Sequence, residues 1–167
     1  IMLKAPITEK VSGRFWPARS RSFQEIDVDG NANLYALLAK GFPADHNAIA
    51  IETPARSYSW SDIEQFSARF ANLLRALDLP AGSRIAVQVE KSPEALMLYL
   101  ASVRAGLVYL PLNTAYRESE IEYFLTDAEP AVVVCDSKNQ EWVSRLADKA
   151  GTASVYTLVG DGRRSLA

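Results

Sequence analysis

Residues Lys91–Asp127 read KSPEALMLYLASVRAGLVYLPLNTAYRESEIEYFLTD and set out a helix, a strand, a turn and a second helix in one apolar unit. Ser92, Pro93 and Glu94 supply an N-cap, a proline at the first helical position and a first-turn acid, so the segment after them is expected to be helical. Gly106 stops it. From Ala95 to Val103 the residues are apolar nearly all the way round, which predicts a core helix covered on most sides. Val108–Leu112 then reads as a short buried strand whose last residues, at Pro111 and Asn113, turn outward. Glu118–Thr126 forms the next helix, with Ile121, Phe124 and Leu125 on one face and Glu120 and Glu122 outside.

The same grammar extends in both directions. Downstream, Pro130 resets the chain, Ala131–Cys135 is β-branched and uncharged like an inner strand, and Lys138–Ala150 is helical, with Trp142, Leu146 and Ala150 at four-residue steps. Gly151 ends that helix before a final strand over Ser154–Val159, and the tail GDGRRSLA reads as a loop. Upstream, Arg84–Val89 alternates as a strand, after a turn at Pro80–Ser83. Before it, Ser61 and Glu64 stand at capping-box spacing ahead of Ile63, Phe66, Phe70, Leu73, Leu74 and Leu77, an amphipathic helix. Ala48–Glu52 and Arg56–Trp60 flank Thr53–Ala55 as a β-hairpin, and Asn33–Lys40 is a short helix with Leu34, Leu37 and Leu38 on one face. Strands alternating with helices imply right-handed crossovers. The fold class is therefore α/β, a mainly parallel sheet with flanking helices on both faces.

The 167 residues suffice for one domain with a real core, and 49% hydrophobic with 23% charged residues matches a globular composition. A net charge of −2, with acids and bases interspersed, gives no signal for nucleic acid as a partner. No apolar run reaches the roughly 18 residues of a membrane helix, so a soluble, cytoplasmic chain without a membrane partner is expected. The single cysteine, Cys135, rules out an internal disulfide and a cysteine-based metal site, and reads as a buried strand end. His46, the single histidine, sits in the polar turn DHN with no nucleophile beside it and reads as a solvated loop residue. Residues 1–30 differ from the rest: Lys4, Lys10, Arg14, Arg19 and Arg21 stand without a helical or strand period. Their acids and prolines argue against a transit helix, and a poorly ordered extension is expected.

The string RAGLVYLPLNTAYRESEIEYFLTDAEPAVVVCD resembles the N-terminal part of the adenylate-forming acyl-CoA synthetases. Its AG-x-x-YLPLN core is broad in that superfamily, whereas NTAY, E-x-x-YF-x-TDAEP and VVCD, preceded by KSPEALMLYLASVRAG, are most similar to the malonyl-CoA synthetases. The resemblance runs from about Asn33 to the end and implies that residues 31–167 are an incomplete N-terminal domain of that enzyme fold. It implies malonate or methylmalonate, ATP and CoA as substrates, Mg2+ as cofactor, and a reaction through an acyl-adenylate. Another short-chain or aryl acid, or a non-catalytic truncated α/β domain, stays open as an alternative.

Adenylate formation needs a phosphate cradle of adjacent glycines and hydroxyls, which the family supplies in a Thr/Ser/Gly-rich loop ending in Lys-Gly. GTAS at Gly151–Ser154 and GDGRRS at Gly160–Ser165 lack the repeated glycine spacing, so the resemblance assigns no catalytic and no metal-binding residue here, and the isolated chain is expected to be inactive. In relatives the loop after PLN approaches the thioester-forming face, which makes Arg117 a candidate for the CoA phosphates. The competing and favoured local role for Arg117 is a first-turn surface arginine paired with Glu118 or Glu120. Tyr109, Pro111, Asn113 and Tyr116 are expected to shape that loop, and Arg104 to close its helix. An incomplete domain leaves apolar surface uncovered, so self-association is expected, and a monodisperse monomer would count against it.

Overall fold

The computed structural model describes residues 33–152 and 154–158; the basic stretch 1–30 and the tail from Gly160 lie outside them. In chain order the elements are α1 (Leu34–Ala39), β1 (Ile49–Glu52), β2 (Ser57–Ser59), α2 (Trp60–Arg75), β3 (Arg84–Gln88) and α3 (Pro93–Arg104). There follow β4 (Val108–Pro111), α4 (Glu118–Ala128), β5 (Val132–Cys135), a 3-10 turn (Ser137–Asn139), α5 (Gln140–Lys149) and β6 (Ser154–Thr157). β1 and β2 pair antiparallel as a separate hairpin, while the other four strands form a parallel sheet in the order β4-β3-β5-β6.

That strand order fixes where the helices go. The chain steps from β3 to β4 on one side, then returns across β3 to β5 and on to β6, so crossovers of one hand must place α3 on one face and α4 and α5 on the other. The core divides in that way. Ile85 and Val87 of β3 and Val132 and Val134 of β5 pack with Leu98 and Ala101 of α3 and with Ala71 and Leu74 of α2. The alternate residues Ala86, Val133 and Cys135 pack with Ile121 and Leu125 of α4 and Val143 of α5. A third cluster, Tyr58, Ile63, Met97 and Leu100, seats the hairpin on α2 and α3. The central strands are buried on both sides, and each fully buried aliphatic side chain there contributes about 1.5–3 kcal/mol.

Several expectations are corrected. The cap of α2 is Ser59 with Asp62, not Ser61 with Glu64: Ser59 Oγ accepts from the Asp62 N–H at 3.1 Å and Asp62 Oδ2 accepts from the Ser59 N–H at 2.8 Å. β2 runs directly into the helix, so the switch out of extended backbone falls at Ser59, and Ser61 is left to accept from Gln65. The stretch Val108–Leu112 is not a buried strand but an edge strand, Val108–Pro111, with Val108 half-exposed. Pro111, which has no N–H to donate, is tolerated there for that reason. α3 begins at its Ser92 cap and is covered on most sides, as expected, with Leu96, 43% exposed, as the exception. In α1 the Leu34, Leu37 and Leu38 face is exposed, and Tyr35 makes the inward contact instead. α5 opens with the 3-10 turn and buries Val143, Leu146 and Ala147 rather than the Trp142–Leu146–Ala150 stripe. Arg104 does more than close its helix: its guanidinium donates to Tyr35 Oη at 2.9 Å and lies over that ring, tying α1 to α3.

Candidate functional site

In an open parallel sheet, ligands bind outside the carboxyl ends of strands whose outgoing loops leave to opposite faces. Here that switch lies between the ends of β3 and β5, because β3 leads to α3 on one face and β5 leads to α5 on the other. A cleft of about 550 Å3 opens beside it at the ends of β3 and β4, lined by Val87, Val89, Glu90, Lys91, Asn113 and Thr114 among others. A second cleft, about 640 Å3, lies between the loops that follow β4 and β5 and is lined by Thr114, Tyr116, Arg117, Lys138, Asn139 and Trp142. Thr114 lines both.

The loop from Asn113 to Arg117 is built from local bonds. Leu112 donates its N–H to Val87 O at 2.8 Å, holding the loop's root to β3. Asn113 Oδ1 accepts from the Ala115 N–H at 2.9 Å, and Tyr116 donates its N–H to Asn113 O at 3.0 Å, closing a tight turn. Tyr116 stacks on Phe124 of α4 with centroids 5.2 Å apart. Beneath the turn, the buried Gln88 donates from Nε2 to both Asn113 O and Tyr116 O at 3.1 Å. Sequence reasoning missed this residue, although a polar side chain closing the apolar run RIAVQ was a signal.

Arg117 is the N-cap residue of α4, and the expected ion pair with Glu118 or Glu120 does not form. Glu120 instead accepts from the Arg117 backbone N–H at 3.0 Å, and Glu118 faces Arg145 at 3.8 Å. Arg117 thus lines the second cleft with no carboxylate at ion-pair distance among the described residues. Across it, Lys138 lies 3.7 Å from the exposed Glu90 carboxylate and 4.0 Å from the buried Oδ2 of Asp136. The exposed pair with Glu90 is worth about 0–1 kcal/mol. Arg117 and Lys138 with the rings of Tyr116 and Trp142 and the hydroxyls of Thr114 and Ser119 make a face suited to phosphate with an adjoining flat, apolar group, and Glu118, the carboxylate in the same lining, faces Arg145.

His46 is in a loop, as expected, but pairs with Glu64 at 2.7 Å, and neither residue lines either cleft. Cys135 is fully buried at the end of β5; burial and then the Asp136 carboxylate push its thiol up to about 11, so it is protonated and inert at neutral pH. Tyr109 lines the first cleft in edge contact with Tyr99, and burial raises its hydroxyl above the ordinary range. Tyr58 donates to Glu94 Oε1 at 2.6 Å in a buried pair that anchors the hairpin to α3, and burial followed by that bond raises the Tyr58 hydroxyl too. Among the described residues, no group of three or more His, Cys, Asp or Glu side chains is placed to hold a metal, and no helix is long and apolar enough to cross a membrane.

The family model described as AMP-binding enzyme matches residues 38–165. This chain belongs to the AMP-binding enzyme family. Among solved structures, MatB from Rhodopseudomonas palustris is similar with a TM-score of 0.73 and 50% identity, over 80% of this chain and 26% of MatB. Its ATP-bound form gives 51% identity over the same shares at the same TM-score. Malpinin synthetase from Mortierella alpina is 30% identical over 126 residues, 75% of this chain but 2% of its own length. A benzoate CoA ligase from Burkholderia xenovorans, with a TM-score of 0.70 and 21% identity over 77% of this chain and 26% of its own, shares the fold alone. The chain therefore spans about a quarter of each of these solved relatives, and its layers are those of the N-terminal domain of adenylate-forming enzymes.

Proposed function

We propose that this AMP-binding enzyme segment is the N-terminal part of an ATP-dependent acid:CoA ligase, cytoplasmic, that converts malonate or methylmalonate to its CoA thioester. The observation that carries the reading is the 50% identity with MatB across 80% of the chain, together with the ATP-bound form of that relative. The NTAY and TDAEP strings support the malonate branch. In the reaction, a substrate carboxylate oxygen attacks the α-phosphorus of ATP; a new acyl–phosphate bond forms and pyrophosphate leaves. The CoA sulfur then attacks the acyl carbon, its proton passes to solvent, and AMP leaves. Since the resemblance brings the loop after the PLN string to the thioester-forming face, this chain's own part is read on the CoA side. There Arg117, with Lys138 opposite, meets the CoA phosphates, and the rings of Tyr116 and Trp142 give the nucleotide a flat surface.

Acid-dependent exchange of labelled pyrophosphate into ATP tests the reading, using the native polypeptide that contains this sequence. Malonate and methylmalonate are expected to drive exchange at least tenfold better than acetate, benzoate or amino acids, since a site built for a second carboxylate rejects acids that lack one. Preference for benzoate or an amino acid would overturn the malonate assignment.

A further inference from the structure

The second cleft has two walls, one bearing Arg117 and the other Lys138, and a single residue is bonded to both. Gln88 sits at the end of β3, 1% exposed, on the sheet face that carries α4 and α5. Its Nε2 donates to the carbonyls of Asn113 and Tyr116, both at 3.1 Å, which fixes the turn that delivers Arg117 to the start of α4. Its backbone carbonyl accepts from the Asp136 N–H at 3.3 Å, which fixes the root of the 3-10 turn carrying Lys138. The amide orientation is forced, because reversing it would set its oxygen against two carbonyl oxygens. Oε1, fully buried, is left with no hydrogen-bond partner among the described residues. Fold stability alone would favour an apolar side chain at such a position, since an orphaned buried acceptor is costly.

We propose that Gln88 is a positioning residue for the CoA-facing cleft: it holds the Arg117 turn at a fixed height over β3 and so sets affinity for the phosphorylated end of CoA without touching it. This rests on the reading of the cleft given above. Gln88 acts on the thioester-forming step through Arg117, and leaves adenylate formation alone.

The test is a mutant cycle in the native polypeptide with Gln88→Met, Arg117→Ala and the double variant, each assayed for the KM of CoA and, separately, for malonate-dependent pyrophosphate exchange. Loss of two bonds to the turn is expected to raise the CoA KM about tenfold with exchange unchanged. Because both residues act through one contact, the double variant is expected to be no worse than Arg117→Ala alone. Gln88→His, whose Nε2 has a similar reach and keeps one donor, is expected to recover part of the affinity. Amide exchange gives a readout independent of turnover: in Gln88→Met the N–H groups of Ala115 and Tyr116 exchange faster while those of Val133 and Val134 do not. Additive losses, an equal fall in pyrophosphate exchange, or unchanged loop protection would overturn the proposal and make Gln88 an ordinary core residue. A CoA KM left unchanged by Arg117→Ala would instead overturn the reading of the cleft, and the role of Gln88 with it.

Discussion

Cys135 shows how strongly one residue reports on the sheet. It ends β5 with no exposed surface, between Ala86 and the inner faces of α4 and α5. Its thiol pKa of about 11 lies above the ordinary value near 8.5 because the buried site disfavours a thiolate. The folded state therefore holds a proton that the unfolded chain releases. Below about pH 8.5 the thiol is protonated in both states and its contribution is fully present; as pH rises toward 11 that contribution is lost. Urea midpoints of wild type and Cys135→Ala measured at pH 8 and pH 10 are expected to converge at the higher pH, and parallel curves would show that the thiol is not buried as described. Gln88 is the counterpart on β3, a polar side chain at an inward position whose value lies in the loop it holds rather than in packing.

At the scale of elements, the start of α2 separates two readings that the sequence leaves close together. Both Ser59–Asp62 and Ser61–Glu64 have cap spacing, and only the geometry decides, because β2 ends at Ser59 and the helix begins at Trp60. Ser59→Ala is expected to cost about 1 kcal/mol in urea unfolding and Ser61→Ala a few tenths at most; the reverse order would restore the cap as first read. Element type was legible wherever a period and its punctuation agreed: Ser92-Pro93 before α3, Gly106 and Gly151 at positive φ after α3 and α5, and the β-branched run of β5. What was not legible depended on partners far along the chain. Nothing in VYLPL shows that β4 pairs on one side only, nothing in LYALLA says that Tyr35 rather than the leucines turns inward, and nothing local joins Lys138 to Arg117 across a cleft. The resemblance reached the family, while Gln88, which no motif marks, came from the loop bonds alone.

At the scale of the molecule, β4 and β6 bound the sheet among the described residues, and Leu38 and Leu96 stay exposed along an apolar cleft of about 450 Å3 with Phe42, Ile51, Trp60 and Tyr99. Surfaces of that kind are why self-association of the isolated chain is proposed. The two ligand-sized clefts at the carboxyl end of the sheet sit where an α/β enzyme keeps its chemistry, and the described residues supply cations and rings there. We propose that they form one side of a site for thioester formation from malonate. Mass-spectrometric detection of acyl-CoA made by the native polypeptide from malonate, ATP and CoA tests this. Malonyl-CoA and AMP are expected in equal amounts, both absent when malonate or CoA is left out. AMP formed without any CoA thioester, or thioester formed from other acids but not from malonate, would contradict it.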